Sequence, residues 1–118
     1  MPAPTTRRST AVADLDPDRL AEHFNAAFRR QMNKNLIQVS ECETTIERGV
    51  DRTVTAVIRI YGMAGDVTSR EFCPAPGKVV KGAESVPVAV DGYDSSNFVF
   101  AGSTNLTGNE FEARYVLA

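Results

Sequence analysis

One stretch of this chain repeats its apolar residues with the period of a helix, and it comes early. Leu20, Phe24, Ala27, Phe28 and Gln31 fall on one side at helical spacing, flanked by Ala21 and Met32. Glu22, Asn25, Arg29, Arg30 and Asn33 face the other way. Asp16 suits an N-cap, Pro17 the first helical position, and Asp18 the positive end of the helix dipole. Arg29, Arg30 and Lys34 crowd the last turns, where positive charge is favourable. The pattern predicts an amphipathic helix of about four to five turns. A single apolar stripe needs an apolar face to cover it, and the rest of the chain must supply that face.

The remainder reads as strands. In residues 53–61, Val54, Ala56, Ile58 and Ile60 point one way and Thr55, Val57, Arg59 and Tyr61 the other. Residues 36–46 are rich in β-branched side chains, but Ile37 and Val39 share one parity while Cys42, Thr44 and Ile46 share the other. A bulge near Ser40 and Glu41 would reset that parity. The two segments predict a long antiparallel hairpin, with a turn over residues 47–52 in which Gly49 takes positive φ. Gly62 and Gly65 end it.

The second half is more broken. Residues 67–72, 79–80 and 86–90 are short strand candidates, and Pro87 confines the last to a sheet edge or a bulge. Residues 91–97 read as a polar loop, 98–100 as a short apolar strand and 102–109 as another loop. Phe111, Ala113, Tyr115 and Leu117 alternate with Glu110, Glu112 and Arg114 in a final strand. About five to seven strands result, at ordinary strand lengths.

Residues 1–15 look like an extended or flexible arm: Pro2 and Pro4 block regular structure, and small polar residues follow. The expected organisation is therefore an arm, 1–15, and a single domain, 16–118. The fold class is α+β, one N-terminal amphipathic helix packed on a curled antiparallel sheet.

Composition narrows the partners. The 118 residues, 42% hydrophobic and 24% charged, suit one globular domain and argue against disorder as the main state. A net charge of -2, from 13 basic and 15 acidic residues, lacks the basic excess by which phosphate-bound proteins are recognised, so nucleic acid is not expected as a partner. No apolar run approaches the ~20 residues that span a bilayer, and the stretch after Arg7 and Arg8 is too short and polar for a signal-peptide core. The expectation is a protein made in the cytoplasm, without a membrane partner, with Cys42 and Cys73 reduced.

Candidate chemistry is thin. His23 is the single histidine, and no signature pairs it with a nucleophile. Cys42, Cys73 and His23 fall short of the four ligands of a structural zinc site. Glu41, Glu43 and Glu47 share a strand parity, the pattern of a solvated face. Asp91, Asp94 and Asn97 miss the spacing of a calcium loop. Phosphate-binding glycine motifs are missing too, and Arg59 beside Tyr61 is the one pair suited to stacking a base. No catalytic residue, cofactor or metal is expected.

What remains points to assembly. The arm, with Arg7 and Arg8, and the outward Thr55, Val57 and Tyr61 form the expected interface with other subunits, in a homo-oligomer or larger assembly such as a bacteriophage virion. The alternative is a small monomeric binding module that presents loops 91–97 and 102–109 to another macromolecule. An enzyme reading rests on Cys42, Glu41 and Tyr61 meeting in a pocket between helix and sheet.

Overall fold

The computed structural model describes residues 12–35, 39–63, 81–107 and 110–118. A short 3-10 turn (Val12–Asp14) leads into helix α1 (Pro17–Lys34). Five strands follow: β1 (Val39–Arg48), β2 (Val54–Met63), β3 (Ser85–Val88), β4 (Ser96–Thr107) and β5 (Glu110–Leu117). They form one antiparallel sheet in the order β1-β2-β5-β4-β3, curled around the helix as a half-barrel. The expected α+β class and the helix-on-sheet arrangement are what is observed.

The helix buries the stripe its sequence marks out: Leu20, Phe24, Ala27, Phe28 and Met32 are buried. Pro17 opens it, and the Asp16 carbonyl accepts from the Leu20 amide at 2.8 Å, but the Asp16 side chain makes no capping bond. Opposite the stripe lie Ala56, Ile58 and Ile60 of β2, Phe111, Ala113 and Tyr115 of β5, Phe98 of β4, and Val86 and Val88 of β3, all buried. Tyr115 sits among the rings. Its centroid lies 5.5 Å from Phe24, 6.0 Å from Phe28 and 5.6 Å from Phe100, and Phe24 meets Phe98 edge-on at 5.0 Å. Such pairs add about 0.5–1.5 kcal/mol each beyond simple burial. The Tyr115 hydroxyl donates to the Ala83 carbonyl at 2.7 Å, which satisfies the one polar atom this ring carries into the core.

The helix runs antiparallel to β1. Thr44 Oγ1 donates to Asn25 Oδ1 at 3.1 Å, and one turn on Arg29 donates to the carbonyls of Val39 and Ser40, each at 3.3 Å. At its C-terminal end the helix is tied to the segment before β3. Gln31 Nε2 donates to the Gly82 carbonyl at 3.1 Å, and Asn35 Nδ2 to the Gln31 carbonyl at 2.9 Å. Gly82 has φ +97°, and a Cβ there would lie 2.2 Å from Asn35 Cγ.

Several expectations need correction. The register of β1 on β2 is continuous from Val39 opposite Met63 to Arg48 opposite Val54, so no bulge interrupts it near Ser40. The hairpin turn is tighter than expected. Gly49 donates to the Thr53 carbonyl at 2.8 Å, and Arg52, not Gly49, takes positive φ at 72°. The Arg52 amide donates to the Gly49 carbonyl at 3.1 Å, and the left-handed Arg52 closes the loop. A Cβ at Gly49 would meet the side-chain oxygens of Thr53 at 2.9 Å and Asp51 at 3.0 Å, which would have to shift to admit it.

The expected loop at 102–109 is largely strand. β4 runs through to Thr107, with register shifts between Phe100 and Gly102 and between Asn105 and Thr107 that the polar, β-poor sequence disguises. Residues 12–15, grouped with the arm in sequence, belong to the domain: Val12 and Leu15 are buried in the core. The strand candidates at 67–72 and 79–80, and residues 1–11, lie outside the described residues.

Two substitutions test the central packing. Tyr115→Phe keeps the ring but orphans the Ala83 carbonyl, and is expected to cost about 1–3 kcal/mol in denaturant unfolding. Gly82→Ala should be destabilising by about 1–3 kcal/mol through its φ, with a further cost from displacing Asn35. Gly92→Ala, at φ +84° with nothing within 4 Å of the new Cβ, is the control that carries the backbone cost alone and should lose less.

Candidate functional site

The sheet has one face under the helix and a second face that no described element covers. On that outer face the strand register lines up side chains in rows. Glu41, Tyr61 and Glu110 form one row and Glu43, Arg59 and Glu112 the next. Thr45, Val57 and Arg114 follow, then Glu47, Thr55, Val116 and Val99. Arg114 lies 3.4 Å from Glu47 and 3.5 Å from Glu112, and Arg59 reaches Glu112 at 4.0 Å. Tyr61 in hydrogen-bond contact, and then the Glu110 and Glu112 carboxylates, hold the Arg59 guanidinium above its ordinary value.

The expected interface residues fare differently. Arg7 and Arg8 lie outside the described residues. Thr55, Val57 and Tyr61 do share the outer face, as their parity required. Val57 is only 8% exposed, so it offers little apolar area to a partner. Val99, on the neighbouring part of the face, is 44% exposed and offers more apolar area. That contribution is hidden in the sequence, since only the pairing of Val99 with Val116 brings β4 alongside β5 there.

The Arg59 and Tyr61 pair stands between carboxylates on both flanks, with Glu41 and Glu110 beside Tyr61 and Glu43 and Glu112 beside Arg59. Glu41 and Glu43 are exposed, and Glu47 is partnered by Arg114. Among the described residues, no group of three or more His, Cys, Asp or Glu side chains is placed to hold a metal ion.

The pleat separates the residues of the enzyme reading. Cys42 pairs with Ile60 and turns toward the helix, while Glu41 pairs with Tyr61 on the other face. They do not meet in one pocket. Cys42 instead lines a cleft of about 280 Å³ between α1 and β1, with Asp18, Glu22, Asn25, Glu43 and Thr44. Its free thiol is half-buried; desolvation raises its pKa above the ordinary 9.0, a shift that neighbouring Arg29 opposes. His23 is partly exposed on α1. The cleft's acidic lining has no signal in the sequence, because Asp18 and Glu22 meet β1 only through the antiparallel placement of the helix.

Two other depressions are present. One of about 230 Å³ is lined by Arg48, Gly49, Arg52 and Thr53 beside the 3-10 turn, where the Arg48 guanidinium donates to the carbonyls of Ala13 and Leu15. Another, of about 410 Å³, lies between α1 and β3 with Arg30, Gln31, Lys34 and Pro87. Of the loops expected to be presented, residues 91–95 remain a turn region before β4, closed by the Tyr93 amide on the Val90 carbonyl at 2.9 Å. No helix among the described residues is long and apolar enough to cross a membrane. Comparison of the chain with protein-family models, curated proteins and solved structures finds no match.

The Cys42 environment makes a measurable difference. In a Cys73→Ser background, its thiol should react with a disulfide reagent about tenfold or more slowly in the folded protein than in denaturant. A raised folded pKa means that this group's contribution to stability is complete below 9.0 and is lost as the pH rises beyond it. The thermal midpoint should therefore fall between about pH 8 and 10, and fall less in Cys42→Ala.

Proposed function

We propose that this chain is a non-enzymatic structural subunit of a larger assembly, of the kind that makes up a bacteriophage virion, and that its N-terminal segment contacts neighbouring subunits. The observation that carries the reading is the anchoring of Val12 and Leu15 in the core. Ala13 and Leu15 lie beside the end of β1, where Arg48 holds their carbonyls. Two surfaces suit contact with a neighbour. The outer sheet face has no described element over it, and β1 offers a ten-residue edge with no strand beyond it among the described residues. An unpaired edge of that length is a template for another chain.

The test is the solution mass, by light scattering coupled to size exclusion, of the full chain and of a chain that starts at Val12. The full chain should form a defined oligomer and the shortened one a monomer. A monomer in both forms, or the same oligomer in both, overturns the reading.

A further inference from the structure

We propose that residues 5–11 of one copy add as a strand to the edge of β1 that no described strand covers, in a neighbouring copy, with Arg7 and Arg8 gripping that edge from its two faces. The inference rests on the assembly reading above and names the contact that makes it. β1 ends the sheet, and its partner on the far side is missing among the described residues. The other end is closed differently: β3 has four residues and carries Pro87, which removes a donor from that edge.

Charge identifies the occupant. On the outer face beside the β1 edge stand Glu41 and Glu43, both exposed and neither ion-paired among the described residues. On the helix face the same edge borders the cleft that holds Asp18 and Glu22. Carboxylates thus flank the edge on both sides. Two copies of β1 laid edge to edge would bring these carboxylates together, and like charges opposed across a strand pair are destabilising. A strand that fits must carry positive charge toward both faces.

Successive side chains on a strand point to opposite faces. Adjacent arginines supply that arrangement, and Arg7 with Arg8 provide it inside Thr-Thr-Arg-Arg-Ser-Thr-Ala, a stretch with three β-favouring threonines and no proline. Seven residues span about 23 Å as a strand, close to the run of β1 from Glu41 to Arg48. Arg29 already holds the carbonyls of Val39 and Ser40, so that run is the part left open.

The neighbour's segment is preferred to the chain's own by direction. Because Val12 is rooted at the Arg48 end of β1, a segment folding back in its own molecule would lie parallel to β1. A segment from a second copy can approach antiparallel, as every pair in this sheet does, and antiparallel pairing is the stronger per residue.

Charge reversal on each side tests the pairing. Arg7→Glu with Arg8→Glu in one variant, and Glu22→Lys with Glu41→Lys in another, should each weaken assembly about tenfold or more by light scattering at low salt. All four changes together should restore the mass. The lysine changes made in a chain starting at Val12 should leave its thermal midpoint unaltered, which shows the domain intact. If the lysine variant keeps the full mass while loss of residues 1–11 still dissociates the assembly, the segment docks elsewhere; this inference fails and the assembly reading stands. If the full chain is monomeric, the assembly reading fails with it. A monomer whose midpoint drops with either reversal and recovers in the combined variant places the segment on its own β1 and overturns the exchange.

Discussion

The buried ring of Tyr115 is the point on which three separate parts of this fold depend. It lies on β5, near the middle of the sheet, within 6.0 Å of both helical phenylalanines and 5.6 Å of Phe100. Its hydroxyl reaches past the helix to the Ala83 carbonyl, on the stretch that precedes β3. Burial drives the tyrosine pKa upward and so keeps the hydroxyl a donor. Helix, sheet and the approach to β3 are thus held by one side chain. The close approach of Gly82 to Asn35 and the Gln31 bond reinforce the same junction from the helix end.

From that junction follows the asymmetry of the molecule. The inner face of the sheet is filled by one helix, while the outer face carries an ion-pair chain from Glu47 through Arg114 and Glu112 to Arg59. Exposed pairs of this sort contribute little to stability, about 0–1 kcal/mol each. Their larger effect is on what the surface presents, since the register leaves carboxylates on both flanks of Tyr61. The two sheet edges differ in the same spirit: one is short and carries a proline, the other is long and bordered by carboxylates. Charged side chains along an edge disfavour its pairing with a second edge of the same charge.

The pleat decides what chemistry the hairpin can support. Glu41 and Cys42 are consecutive, yet the thiol faces the helix while Glu41 pairs with Tyr61 on the other face. Residues nominated together in sequence are therefore divided by a single backbone alternation. Asp18 and Glu22, which sequence treats as ordinary polar positions of a helix, instead come to share a cleft with Cys42 and Thr44 because α1 runs back along β1.

Much of the fold was legible in the residues. Periodicity separated the buried stripe of α1 from its polar face and set the inward and outward sides of β2 and β5, and proline's missing donor confined Pro87 to an edge or a bulge. These follow from local geometry, where a side chain's direction is fixed by its position in a helix turn or pleat. It did not reveal that Val12 and Leu15 join the core, since two isolated apolar residues carry no period. Nor did it show β4 running on to Thr107, because bulges break the alternation by which a strand is recognised. Which strands neighbour one another, how far Val57 is buried, and how carboxylates from α1 and β1 come to flank one edge were settled only by tertiary structure. The physical reason is common to all three: alternation determines which face a residue takes, whereas neighbours across strands and layers depend on long-range packing around Tyr115.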